Sequence, residues 1–340
     1  MATTPRGSFS NANRHMQDEE NLRLTSVGVD IGSSTSHLVF SRLELTLEGS
    51  RYRVTKREIL NESQILLTPY VDDTRIDVEA LGAFINQQYK DAKIRREEVD
   101  TGALILTGVA VRRRNARAIA DLFAQEAGKF VAVSAGDGLE ATMAGHGSGA
   151  VAHSGKIGGV VLNIDIGGGT SKFALCNNGK VQEVSAIDIG ARLLAFDKDG
   201  AIVRIEEAGR KHAAWAGFSV ELGQILPQEN LRKMAVGMTD KLLAMLKPDT
   251  LSDDIKSVLR LPPLSYQGEI DCVMFSGGVS EFIYNRSKTT FGDLGPLIAD
   301  EVHRRMADLG LLVMEPNARI RATVIGASQY TVQVSGNTIF

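Results

Sequence analysis

Asp30-Ile-Gly-Ser-Ser-Thr35 ends the apolar run Leu24-Thr-Ser-Val-Gly-Val29, and Asp165-Ile-Gly-Gly-Gly-Thr170 ends Gly159-Val-Val-Leu-Asn-Ile164. Each reads as a short strand, a terminal aspartate and a glycine turn. The first is followed by a strand through His37-Leu-Val-Phe40, a turn at Glu48-Gly-Ser50 and a third strand over Tyr52-Arg-Val-Thr-Lys56. The second is followed by Lys172–Cys176, the turn Asn177-Asn-Gly179 and a strand over Lys180–Ile187. Asn and Gly tolerate positive φ, which makes Asn-Asn-Gly strong hairpin chemistry. Two β-meanders therefore begin 135 positions apart, counted from Asp30 to Asp165. A solenoid repeats every 20–50 residues or so, so this period indicates duplication of a half-molecule.

The turns carry the chemistry. A strand feeding a glycine turn presents backbone N–H groups to an anion. Gly32, Ser33, Ser34 and Thr35 form the first such loop, and Gly167, Gly168, Gly169 and Thr170 the second, with less side-chain bulk. Asp30 and Asp165, at the strand ends, are placed to hold Mg²⁺ through water, because Mg²⁺ sheds its waters reluctantly. One copy alone is equally well explained as a tight hairpin capped by its aspartate. Two copies on matching frames favour phosphate binding.

Between and beyond the two meanders, helical periodicity spans Val78–Lys90 and strands are expected at Ala103–Thr107 and Lys129–Ser134. An Arg-rich helix follows Gly108, and its Arg112, Arg113, Arg114 and Arg117 read as a solvated face or, second, a dock for an acidic partner. An Ala/Gly-rich helix spans Leu139–Ala150. Glu140 at its start can orient a water for attack on a phosphate or can merely complement the helix dipole. Leu231, Met234, Ala235, Met238, Leu242 and Met245 follow helix spacing and read as core. Asp271–Phe275 is a strand entering Ser276-Gly-Gly-Val-Ser280, a third glycine turn on which a base or ribose can lie. Pro296 opens a helix that Gly310 stops, and another helix begins near Gly326-Ala327.

With 340 residues, two domains are expected. The 43% hydrophobic and 23% charged content is that of a globular protein, and a net charge of −3 gives no general attraction to nucleic acid. Cys176 and Cys272 are too few for an iron–sulfur cluster and read as buried strand thiols. His146 and His153 lack the surroundings of a zinc site. No run suggests a membrane span, and residues 1–23 read as a polar, disordered arm rather than a signal peptide. The expected location is therefore cytoplasmic.

Phosphate loop, connecting helix, phosphate loop, adenosine loop and second connecting helix occur in an order that resembles the actin/Hsp70/hexokinase superfamily. Within it, Val27-Gly-Val-Asp-Ile-Gly-Ser-Ser-Thr35, Phe40-Ser-Arg-Leu-Glu-Leu45, Glu140–Ala150, Val161–Thr170 and Arg321-Ala-Thr-Val-Ile-Gly-Ala327 are similar to the family of ethanolamine ammonia-lyase reactivating factors. The resemblance runs from about Leu24 to Phe340. It implies an α/β, actin-like ATPase (ribonuclease H-like) fold, with two duplicated half-domains flanking a nucleotide cleft. One half would comprise residues 24–148 with 321–340, the other residues 149–320.

The resemblance further implies ATP and Mg as ligands, with Asp30, Glu140 and Asp165 as catalytic residues. Ser276, Gly277, Gly278 and Gly326 join the two phosphate loops as nucleotide contacts. The implied partner is ethanolamine ammonia-lyase, an adenosylcobalamin enzyme whose damaged cofactor the family releases at the expense of ATP, with an ethanolamine-utilisation microcompartment as the setting. Members of that family continue past residue 340, so the stretch read here corresponds to their nucleotide-binding core. No lysine stands out as a γ-phosphate ligand. A small-molecule kinase and a non-hydrolysing actin-like scaffold are the rival readings, and the sequence leaves the oligomeric state open.

Overall fold

In the computed structural model, strand β1 (Asn21–Ile31) turns back at Gly32 and pairs antiparallel with β2 (Thr35–Glu48), which pairs antiparallel with β3 (Arg51–Glu62). The structure describes residues 21–32, 34–48, 51–72, 75–107, 119, 130–134, 136–246, 251–306 and 310–327. The Arg112–Arg114/Arg117 cluster, Ser33 and the turn at Gly49-Ser50 lie outside them. On its other side β1 runs parallel to β4 (Thr101–Leu106), and β4 runs parallel to β5 (Phe130–Ser134). The order across the sheet is β3-β2-β1-β4-β5.

The second half repeats this arrangement. Strands β6 (Val160–Ile166), β7 (Ser171–Asn177) and β8 (Lys180–Ile187) form an antiparallel meander. β9 (Cys272–Ser276) joins β6 in parallel, and β10 (Leu312–Met314) joins β9. The order is β8-β7-β6-β9-β10, matching the five-strand path of the first sheet, which carries one further short strand, Leu66–Leu67, beside β2. Even the turns match: Gly32 N–H donates to the Thr35 carbonyl at 2.9 Å, and Gly167 N–H to the Thr170 carbonyl at 3.0 Å. Asn178 and Gly179 have φ of 48° and 79°, the pair of positive values a tight type I′ hairpin requires. The duplication read from the two Asp-Ile-Gly stretches is thus a duplication of fold.

Each sheet is covered by helices on both faces. Asp77 caps the helix Val78–Ala92, its Oδ1 accepting from Ala80 N–H at 3.0 Å. Leu81, Ile85 and Tyr89 of that helix pack on Val27, Val29, Ile31, Leu38 and Phe40. In the second half the helix Gln228–Ala244 buries the expected Leu231, Met234, Ala235, Met238 and Leu242 in the core around β6 and β7. Cys176 and Cys272 are free, buried thiols in β7 and β9. No helix among the described residues is long and apolar enough to cross a membrane.

Four expectations are corrected. β1 begins at Asn21, not Leu24, because Asn21–Arg23 pair with Thr46–Glu44 while pointing into solvent, so the polar arm gives up its last three residues to the sheet. The single helix Leu139–Ala150 is two, Asp137–Gly147 and Ala150–Ile157, broken at Gly149, whose φ is 90°. The last helix already includes residues 322–327 and so starts before Gly326. Finally, the helix Asp137–Gly147, assigned to the first half, lies on the second sheet as well. A Cβ on Gly145 would sit 3.0 Å from Ala174 of β7, while Met143 clusters with Ala103 and Ile105 of β4.

That helix crosses residues 322–327 at a backbone-to-backbone contact. A Cβ on Gly147 would lie 1.8 Å from the Ala322 carbonyl oxygen, and one on Gly326 would lie 1.9 Å from that of Met143. The second helix in turn rests on β1, where a Cβ on Gly28 would be 2.7 Å from Val324 Cγ2. The crossing therefore joins the two halves.

His212, on the helix Glu207–Trp215, is 3% exposed. It meets the Asp188 carbonyl through Nε2 at 3.0 Å and stands edge-on to Trp215. Burial pushes its pKa down to about 4. Because the folded value lies below the unfolded one, the stability this residue permits is complete above about pH 6.5 and is lost as pH falls towards 4. By pH 5 the loss is about 2 kcal/mol. Urea unfolding should show this fall between pH 7.5 and 5, and a shallower one in His212→Gln.

Candidate functional site

The two Asp-Ile-Gly turns face each other across one cleft. Asp30, Gly32, Ser34, Thr35 and Glu140 line it, together with Asp165, Gly167, Gly168, Gly169 and Thr170. Gly277 and Gly278 line it as well. The sequence thus named residues from three separate turns that the fold brings to one place. The tips of the two loops touch: a Cβ on Gly168 would be 2.1 Å from Ser34 Oγ. The second loop is pinned from behind, with Ala191 N–H donating to the Gly167 carbonyl at 3.0 Å and Arg192 N–H to that of Gly168 at 2.6 Å.

Two expected contacts stand elsewhere. Ser276 does not line the cleft; its Oγ donates to Asp165 Oδ2 at 2.7 Å and accepts from Asn163 Nδ2 at 2.9 Å. Gly326 is also absent from the cleft wall, being packed on Met143 in the helix crossing. The third glycine turn depends on Gly277, whose φ is 82° and whose missing Cβ would fall 2.4 Å from the Ile166 carbonyl oxygen. Only glycine suits both constraints.

The electrostatics follow from burial. Asp30 is 8% exposed and Asp165 6%. Burial first, and Glu140 second, push the Asp30 carboxyl up to about 7, against a hydrogen bond from Thr107 Oγ1 to its Oδ1 (3.1 Å) and the nearby Lys172. Burial likewise raises the Asp165 carboxyl above the usual carboxylate range, with Lys172 and the Ser276 hydroxyl pulling the other way. Lys172 is itself buried and ion-paired with Glu140. Burial opposes its charge, but Glu140 and Asp165 outweigh that and hold its pKa above the ordinary lysine value. Glu140 stands in the first turn of its helix, as expected, but its carboxylate is turned to Lys172.

Lys172 is the residue sequence reasoning missed. Its signal was the repeat itself. Lys172 lies opposite Asp165 in the β6–β7 register, as His37 lies opposite Asp30 in the β1–β2 register. His37 is 2% exposed, and burial, then Arg321, push its pKa down to about 3, so the ring is uncharged.

Three carboxyls thus converge with a single ammonium. That excess of acidic groups fits a divalent cation arriving with phosphates. Among the described residues no three His, Cys, Asp or Glu side chains stand close enough to chelate a metal by themselves, and Mg²⁺ held through water asks for no such cage.

The model of one family, "Ethanolamine utilisation protein EutA", matches residues 22–340. The ethanolamine ammonia-lyase reactivase EutA of Salmonella typhimurium is 36% identical over 325 residues, covering 94% of this chain and 69% of that one. The Escherichia coli K12 protein of the same description is 34% identical over the same shares. Among solved structures, the Aquifex aeolicus PPX-GPPA enzyme superposes with a TM-score of 0.52 at 16% identity, over 90% of this chain and 99% of that one. At such identity the likeness speaks for the fold, the actin-like α/β architecture with its duplicated halves. The family match over nearly the whole length speaks for more: this chain belongs to the EutA family of ethanolamine utilisation proteins.

Proposed function

We propose that the chain is an ATP-dependent, chaperone-like reactivating factor for ethanolamine ammonia-lyase. In this reading it hydrolyses ATP in the cleft and uses the resulting motion of its halves to release damaged cobalamin from the lyase, so that intact adenosylcobalamin can rebind. The observation that carries the reading is the pair of aspartate turns facing one cleft, with the Lys172–Glu140 pair between them. The curated relatives from Salmonella typhimurium and Escherichia coli, both described as ethanolamine ammonia-lyase reactivases, support the choice of partner. An ethanolamine-utilisation microcompartment is the setting this partner implies.

In this mechanism the backbone N–H groups of Gly167–Gly169 and of the Gly32–Thr35 turn hold phosphate oxygens. Thr107 and Ser276 fix the carboxylates of Asp30 and Asp165, which would hold a hydrated Mg²⁺. Mg²⁺, when bound, supplies charge neutralisation at the phosphates. Lys172 turns its ammonium from Glu140 to the terminal phosphoryl group. Glu140, thereby released, orients the attacking water and accepts its proton. Loss of the terminal phosphate changes what the two loops grip together, and the Gly147–Gly326 crossing is the joint about which the halves adjust.

Asp165→Asn is expected to reduce phosphate release by about 10²–10³-fold, the scale of removing one preorganised charged group, and to abolish reactivation. The decisive assay mixes cobalamin-inactivated ethanolamine ammonia-lyase with this protein, ATP, Mg²⁺ and fresh adenosylcobalamin. Restored deamination that needs ATP supports the reading. Phosphate release without any recovery of the lyase would sink the partner, and transfer of phosphate to ethanolamine would turn the assignment to a kinase.

A further inference from the structure

The duplication is asymmetric at one position. Lys172 stands opposite Asp165, and His37 stands opposite Asp30. Directly opposed residues of an antiparallel pair project from the same face of the sheet, so each aspartate has a nitrogen-bearing side chain for a neighbour. Lys172 spends its charge on Glu140. His37 does not: it lines the cleft, is 2% exposed, and among the described residues neither Nδ1 nor Nε2 has a hydrogen-bond partner.

A buried polar group without a partner destabilises the fold that holds it. An apolar side chain of the same shape would pack β2 at least as well. The imidazole therefore suits a ligand better than it suits the core. It lines the same cleft as Ser34 and Gly168, where the tips of the two phosphate loops meet. Its ring nitrogens, which no protein group engages among the described residues, are available to a bound anion.

Resting on the reading of the cleft as an ATP site, we propose that His37 donates a hydrogen bond to the terminal phosphoryl group of a nucleoside triphosphate and so distinguishes it from a diphosphate. The backbone turns grip both nucleotides. His37, deep between the loops and the counterpart of Lys172, reaches the oxygens that only the triphosphate carries.

The test is calorimetric binding of ADP and of the non-hydrolysable β,γ-imido analogue of ATP, each with Mg²⁺, to the full chain. In His37→Leu the analogue should bind about tenfold more weakly, the scale of one hydrogen bond to a charged group, while ADP affinity changes less than twofold. The nucleotide-free variant should be as stable to urea as the parent or more so, because two unpaired polar atoms are gone. His37→Asn and His37→Gln place an amide nitrogen near Nδ1 and Nε2 respectively, and at least one should restore the discrimination. Equal weakening of both nucleotides, or an unchanged ratio with lost stability, would overturn the proposal and leave the ATP reading standing. A parent protein that binds neither nucleotide would overturn both.

Discussion

Replacing Lys172 with Met is expected to destabilise the protein by about 3–5 kcal/mol, the usual consequence of removing one partner from a buried ion pair. The ammonium is the cation that Glu140 pairs with, and both groups are buried. Without it, Asp30, Glu140 and Asp165 lose the ammonium that offsets their charge, and Asp30 is already held up to about 7 by burial and by Glu140. Phosphate release should be lost together with stability. The double variant Lys172→Met/Glu140→Gln separates the two effects. It also removes the Glu140 charge that faced the ammonium, so urea unfolding should recover most of the deficit, whereas phosphate release should stay absent. If the single variant unfolds at the same urea concentration as the parent, the pair does not carry the weight assigned to it.

Gly326→Val should be the most damaging substitution outside the cleft. Its Cβ would fall 1.9 Å from a carbonyl oxygen of the neighbouring helix, and a backbone atom cannot rotate away as a side chain does. The helices must separate, at about 3 kcal/mol or more, and the crossing that joins the halves opens with them. Gly147→Val meets Ala322 in the same way and should behave alike. Gly237→Ala provides the contrast. It lies within the helix Gln228–Ala244 with nothing within 4 Å of the added methyl, and the gain in helix propensity should stabilise by about 0.5–1 kcal/mol. Chemical denaturation of the three variants, alongside nucleotide binding, reads the difference directly.

The two meanders and the glycine turns were legible because their signals are local: an apolar run, an aspartate, a turn. Repetition supplied what a single turn lacks. Lys172 was not legible by that route, since in a half-exposed hairpin a lysine is an ordinary solvent-facing residue. Its burial depends on Glu140, which reaches it from the helix after β5, and no window of sequence contains both. Gly326 was misplaced for a related reason. A glycine beside a cleft and a glycine beneath a crossing helix look alike until the crossing partner, Gly147, is known. The start of the final helix is hard to place from sequence because Thr323, Val324 and Ile325 are β-branched, whereas contacts with β1 and with the helix Asp137–Gly147 favour helix there.

The contact between Ser34 and Gly168 has a mechanical consequence. Not only Ser34 Oγ but also Ser34 Cβ, at 2.5 Å, would collide with a methyl group added at residue 168, so turning the hydroxyl aside does not make room. An alanine there would act as a doorstop, keeping the jaws ajar whatever the nucleotide.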